Sequence, residues 1–544
     1  MIKFLLIFAL FYVSPQLISA TYYDRLLARG LGANWLKLIH FEQNFFLPSS
    51  SSADRPDFFF YREGPADPEK ELNETITAFQ TGVPLVGEKG LHPQCAFPER
   101  LKLIKNLNIT DLREVECMDF KSWKNNLQPR EISLIFKQPL PKNTTDFFGE
   151  VFLKIKTNKN KEYVCFFNVV ESAKNYYLPK QVQRLIGFNS LEIKIDDYDT
   201  FVKNQTNYFY SDYYEYPLKL SPEETDRIIN HIWELHNTNT FNYYQISENR
   251  TFFTASLLQV GKDHWNLVKS NKFYFTPRDL IRNLTRYSGD IVKTNFIPSA
   301  KYQASQLVYN EAVVQKKLPE KSHKNQKISF TSALAENNFI GGVGYQAGYH
   351  GMLSSDQGYQ DYSNLDFLKI NFTYNTSVKK YKVPEISVLE YTYLYPVTKG
   401  DWGWSQKGAL KKDYVEDIEL AFKSRNRLYY GMGVTFKFGG ALAFFTGFEY
   451  QRSSYTRKHD RLGPWGEWIM FFDSFRNGKI LLRQKIISSF LEDLKDTYYI
   501  ENEASVSTTI GENYELSLRN LMVTKTGSLT SSQYQIILGI GKYF

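Results

Sequence analysis

The chain has 544 residues, 42% of them hydrophobic and 16% aromatic, which gives room for two or three domains and enough apolar material for cores and for the aromatic girdles of a membrane protein. Its formal charge of +8 comes from 66 basic residues scattered among 58 acidic ones, without the clustered stripe that a nucleic-acid site needs, which argues against nucleic acid as a partner. After the first twenty residues no run approaches the length of about 18 apolar residues that a helical span requires, so only a closed barrel could enter a bilayer.

The chain opens on Met1-Ile2-Lys3, continues with an apolar run from Phe4 to Val13 and reaches Ile18-Ser19-Ala20. This pattern predicts a secretory signal peptide over residues 1–20. In an exported chain Cys95 and Cys117 are candidates for a disulfide closing a local loop, with Cys165 left as an apolar strand residue within Tyr163 to Phe167. Residues 21–130 read as a helical extension. A helical pattern runs through Asn34 to His40, a Ser/Asp/Pro loop spans Leu47 to Asp57, Asp67-Pro68 starts a helix with acids in its first turn, and a further helix is expected from Arg100.

From Glu131 the character changes. Ile132 to Phe136, Val151 to Ile155 and Tyr163 to Val170 read as strands. Ser221-Pro222-Glu223-Glu224 then starts a capped helix, and another begins near Asn249 with Phe252, Phe253, Leu257 and Leu258 on an apolar side. Strands followed by helices predict an α+β region over 131–285. Residues 286–326, strongly basic from Lys316, read as a linker.

Residues 327–544 alternate. Leu428, Tyr430, Met432, Val434 and Phe436 face one way and Arg427, Tyr429, Gly431, Gly433 and Thr435 the other, with a turn at Gly439-Gly440 and a return through Leu442, Phe444, Phe448 and Tyr450. Tyr534, Ile536, Leu538 and Ile540 repeat the pattern before an aromatic end at Phe544, which is placed at the membrane seam. Roughly twelve such segments predict an antiparallel transmembrane β-barrel, with bulky inward residues such as Tyr429 and Phe445 suiting a plugged lumen better than an open pore.

Trp35 to His40, the Asp67-Pro68 helix and His92-Pro93-Gln94-Cys95 are similar to the N-terminal extension of proteins with an Lnb N-terminal periplasmic domain. Phe148-Gly149-Glu150 to Ile155, Leu220 to Glu224, Trp233-Glu234-Leu235 and Glu248-Asn249-Arg250 resemble the domain itself, and Lys321-Ser322-His323 resembles its approach to the barrel. The resemblance implies a permuted papain-like or NlpC-like fold in which a strand carries His and a helix start carries Cys. That chemistry needs thiolate, which both a helix N-terminus and an imidazole favour. Here Glu150 stands at the His position and Arg250 at the Cys position, and neither can do the work: the guanidinium stays protonated and the carboxylate cannot replace the imidazole. The dyad is therefore read as degenerate, with no catalytic residue assigned. Glu150 and Arg250 are expected to form an ion pair, for which Glu248 competes.

His92, His231 and His323 lack metal-ligand spacing and read as capping, surface or packing residues. The apolar neighbours of Cys165 disfavour it as a nucleophile. No phosphate loop and no Ser-His-Asp constellation stands out, so no cofactor or metal is expected. The combined expectation is an outer-membrane barrel carrying a periplasmic module that binds envelope material (peptidoglycan, lipid or peptide) without cutting it, in contact with outer-membrane lipid and periplasmic proteins. The rival readings are a hydrolase using other residues and a gated pore.

Overall fold

The computed structural model describes residues 22–42, 48–107, 112–139, 148–171, 183, 187–201, 211–238, 241–245, 247–268, 275–298, 318–335, 338–359, 363–377, 379–397, 404–416, 422–438, 440–453, 460–474, 478–488, 498–511, 513–526 and 531–544. The expected signal peptide, Leu47, Gly439 and the start of the basic run at Lys316 lie outside these residues.

The extension consists of short helices: α1 (Tyr22–Ala28), α2 (Gly32–Leu38), α3 (Pro68–Thr81), α4 (Pro93–Ala96), α5 (Pro98–Lys105) and α6 (Met118–Leu127), with a two-strand ribbon of β1 (Phe41–Glu42) and β2 (Ser50–Ser51). Helix α3 begins where the Asp67 side chain accepts from Lys70 N at 3.1 Å, and ends at Gly82, whose φ of +78° suits a residue without Cβ. Helix α5 starts two residues before the expected Arg100, because Pro98 occupies a first-turn position whose N–H would be unpaired anyway. Cys95 and Cys117 form a disulfide with Cα atoms 5.2 Å apart, inside the range such a bridge allows.

Strands β3 (Pro129–Lys137), β4 (Glu150–Thr157), β5 (Glu162–Val170), β6 (Asn189–Asp197), β7 (Tyr213–Pro217), β8 (Phe241–Tyr243) and β9 (Asn295–Ile297) make one antiparallel sheet in the order β8-β6-β5-β4-β3-β7-β9. Helices α7 (Pro222–Thr238), α8 (Arg250–Gln259) and α9 (Pro277–Thr285) follow the strands. Ile132, Leu134, Phe136, Leu153 and Ile155 pack on one sheet face with Ile228, Ile232, Phe253 and Leu257 of the helices. Ile135, Phe152 and Val164 turn to the other face, under Tyr198 and Phe201. Two expectations change here. Helix α8 is buried all round from Thr251 to Leu258 rather than on one side, because it lies against both β4 and β5. The stretch expected to be linker from 286 contributes β9, which pairs with β7 and edges the sheet.

The extension is tied to this sheet domain by a buried polar group. Glu234 on α7 accepts from the backbone N–H of Glu99 and Arg100 at 2.7 and 3.0 Å, and His231 Nδ1 lies 2.7 Å from its other oxygen. Arg100 pairs with Glu71 at 3.3 Å, both fully buried, and its guanidinium lies 4.2 Å from the ring centres of both Phe58 and Phe97.

Twelve strands close the barrel: β10 (Lys327–Ala335), β11 (Asn338–His350), β12 (Asn364–Asn375), β13 (Lys380–Tyr393), β14 (Ser405–Glu416), β15 (Phe422–Lys437), β16 (Gly440–Ser453), β17 (Asp460–Ser474), β18 (Gly478–Ile487), β19 (Tyr498–Ile510), β20 (Tyr514–Thr526) and β21 (Ser531–Tyr543). Strand β21 pairs with β10, Ile540 opposite Phe330, and Phe544 N donates to Gln326 O at 3.0 Å across the seam. The alternation sorts as expected. Leu428, Tyr430, Met432, Phe444, Phe448, Leu538 and Ile540 are exposed on the outer wall, while Arg427, Tyr429, Phe445, Glu449 and Lys485 are buried inside. Such an apolar outer wall on a closed sheet is a lipid-facing surface. Among the described residues no helix is long and apolar enough to cross a membrane.

The lumen is filled. Lys407 Nζ contacts both oxygens of Glu467 at 2.7 Å, Lys485 pairs with Glu449 at 2.8 Å, and Arg427 joins Glu449 to Glu501. Residues 351–359, between β11 and β12, fold inward. Met352 and Leu353 pack against the apolar group that includes Tyr429 and Phe445, and Ser354 donates to the inward-facing Glu515 at 2.7 Å. Lys479 reaches the Met352 carbonyl at 3.2 Å and Asp356 at 2.6 Å.

Candidate functional site

Strand β3 ends and β4 begins at one end of the central strands, where Lys137 and Glu150 are directly opposite each other. The connection needs Gly149: its φ is +82°, and a Cβ there would lie 2.4 Å from the Lys137 carbonyl oxygen. Glu150 is thus the first residue of a strand, as expected. Arg250 is the first residue of α8, whose N-cap Asn249 accepts from Phe252 N at 3.1 Å and donates to Phe275 O at 2.8 Å. The helix lies over β4, and this brings the two positions together across a hundred residues of sequence. Arg250 Nη1 donates to Glu150 Oε1, while Lys137 Nζ sits 3.3 Å from Glu150 Oε2.

The electrostatics follow from this geometry. Burial works against the Glu150 carboxylate, but Arg250 and Lys137 together outweigh it and hold its pKa below the ordinary glutamate value. Glu248, the expected competitor for Arg250, belongs to a second group. Burial and the charge of Asp54 push Glu248 up to about 7. Burial, then the charge of Glu248, pushes Glu42 up to about 8. Asp54 is also raised by burial, although Asn242 N donates to it at 2.6 Å. Sequence reading misses this acidic group because Glu42 and Asp54 lie in the extension, about two hundred residues before Glu248, and no local spacing links them.

The remaining candidates stand apart. Cys165 lies within β5, buried opposite Leu153 and Ile195, where burial alone raises its pKa well above that of a free thiol. His92 caps α4, its Nδ1 accepting from Gln94 N at 3.2 Å. His231 packs against His40, with Nε2 atoms 2.9 Å apart. His323 meets His350 at 3.0 Å beside the barrel. Among the described residues no group of His, Cys, Asp and Glu is placed to hold a metal ion.

Residues 119–287 match the family model of the Lnb N-terminal periplasmic domain. The sheet region is an Lnb N-terminal periplasmic domain. Two domains of unknown function flank it, DUF7843 over residues 32–107 and DUF7840 over residues 316–523. No curated protein matches the chain. Among solved structures the KdgM porin is 10% identical over 40% of this chain and 99% of its own, with a TM-score of 0.24. The translocator domain of the autotransporter NalP from Neisseria meningitidis is 11% identical over 45% of this chain and 96% of its own, with a TM-score of 0.24. The transport unit of AIDA-I from Escherichia coli is 11% identical over 45% and 95%, with a TM-score of 0.23. The twelve-strand barrel with its apolar wall puts the chain in the outer membrane, and the Lnb N-terminal periplasmic domain stands on its periplasmic side.

Proposed function

We propose that the Lnb N-terminal periplasmic domain of this chain is a permuted papain-like module that has lost its nucleophile and base and binds envelope material, peptidoglycan, lipid or peptide, without cleaving it. The observation that carries this reading is the ion pair between Arg250 and Glu150, a helix start and a strand start where thiolate and imidazole chemistry would need Cys and His. A guanidinium locked to a carboxylate is neither nucleophile nor base. The barrel then serves as an anchor, and the packed lumen favours that role over an open pore.

The test uses the full-length protein in mild detergent with isolated peptidoglycan sacculi, following co-sedimentation and soluble fragments together. Sedimentation with the sacculi and no release of fragments is expected. Release of fragments would show a working hydrolase with another nucleophile, and a protein left in the supernatant would remove peptidoglycan as the ligand.

A further inference from the structure

Where the periplasmic domain meets the barrel, a cavity lies between α9 and the barrel's periplasmic rim, lined by Phe148, Thr276, Arg278, His350, Tyr359 and Leu365 among others. Arg278 is its chief charged residue. It is only 4% exposed, and among the described residues the one hydrogen bond of its side chain runs from Nε to the Gly358 carbonyl at 3.1 Å. Its guanidinium lies 4.3 Å from the ring centre of Tyr359 and 5.3 Å from that of Phe136, and no carboxylate among the described residues pairs with it. The nearby carboxylates are engaged elsewhere. Asp279 pairs with Arg282 at 2.9 Å and takes Asn325 Nδ2 at 3.2 Å, Glu515 pairs with Lys327 at 2.7 Å, and Asp356 with Lys479. A second polar group faces the same space: His350 is 3% exposed, and among the described residues its Nε2 has no hydrogen-bond partner, with Asp356 Oδ1 3.7 Å away.

Burying a guanidinium without an anion is costly. Aromatic faces offset part of that cost, yet the two Nη groups keep a fork that matches an oxyanion. The cavity is small, about 30 Å³, room for one compact group such as a phosphate on Arg278. It lies where α9 meets the end of β11 and the start of β12. We infer that this cavity binds a phosphate group on Arg278, carried by an anionic phospholipid headgroup or free in the periplasm.

The experiment uses delipidated full-length protein in nonionic detergent. Thermal unfolding is followed in inorganic phosphate against chloride at matched ionic strength, and native mass spectrometry follows retention of added phosphatidylglycerol. The wild type is expected to show a saturable rise in Tm with phosphate, retention of the lipid, or both, with Arg278→Met losing the response at least tenfold in apparent affinity. Lipid retention without a phosphate response assigns the headgroup; a phosphate response alone assigns the free anion. Heat-modifiable gel mobility shows whether the barrel of each variant is folded. If Arg278→Met fails to fold, Arg278→Lys, which keeps charge and loses the fork, is expected to weaken the response several-fold. A wild type indifferent to both ligands, or an Arg278 variant that responds as the wild type does, overturns the assignment.

Discussion

An arginine on the first turn of a helix faces the positive end of the helix dipole, so Arg250 depends on the carboxylate supplied from β4. Glu150→Gln takes the carboxylate away from Arg250 and leaves Lys137 beside a neutral amide. It is expected to cost about 1 kcal/mol, discounted because the pair is partly exposed, and Arg250→Gln in the same chain should return most of it; a double-mutant cycle on the unfolding transition checks this. The acidic group behaves in the opposite sense. Glu42 and Glu248 hold protons in the folded domain to about pH 8 and 7, but in the unfolded chain only to the ordinary glutamate value. The folded state therefore binds more protons between these limits, and the domain loses stability as pH rises from about 5 to 8. Glu42→Gln is expected to flatten that loss and to stabilise at pH 8 by about 1–3 kcal/mol, read as slower hydrogen exchange in residues 247–259. The ion pair was legible from sequence because each partner stands at a motif position. The acidic group was not, since its members come together only after the extension folds over the sheet.

At the scale of elements, the extension is held by two devices, one covalent and one polar. The Cys95–Cys117 bridge closes a separation of 22 residues around α5, and its reduction is expected to cost about 2–4 kcal/mol, seen as a lower Tm in dithiothreitol. Glu234 is fully buried, accepts from two backbone N–H groups and has His231 Nδ1 2.7 Å from its other oxygen. Glu234→Ala strands the two backbone donors and leaves His231 without its carboxylate neighbour, and a loss of about 3–5 kcal/mol is expected in chemical unfolding, while a surface change such as Glu223→Ala should be near neutral. Barrel strands were readable residue by residue, because lipid outside and lumen inside impose a strict period of two. In helix α8 the apolar side of Phe252, Phe253, Leu257 and Leu258 is buried as read, and the polar positions Thr251, Thr254 and Ser256 are buried too: they are small, and Thr254 Oγ1 returns to the Arg250 carbonyl at 2.8 Å.

For the molecule as a whole, the barrel interior is the part that alternation announces without describing. Sequence places Arg427 and Tyr429 inside; it cannot pair Arg427 with Glu449 or Glu501, because these partners lie on strands tens of residues apart. The filled lumen predicts conductance near baseline in planar bilayers. Deleting residues 352–357, which removes Met352, Leu353, Ser354 and Asp356 from the lumen, is expected to produce discrete channel openings; silence in that variant would mean that the ion lattice alone seals the barrel.

That lattice also shapes how such a barrel can change over generations. On the outer wall, Leu538 or Phe448 meets only acyl chains, and one apolar side chain can replace another in a single step. Glu449 answers to Arg427 and Lys485 at once, so its loss takes the paired carboxylate from Lys485 and one of two from Arg427, which keeps Glu501. Inward positions are therefore expected to drift in matched sets and outward ones singly, and a collection of relatives should show covariation confined to alternate residues of every strand.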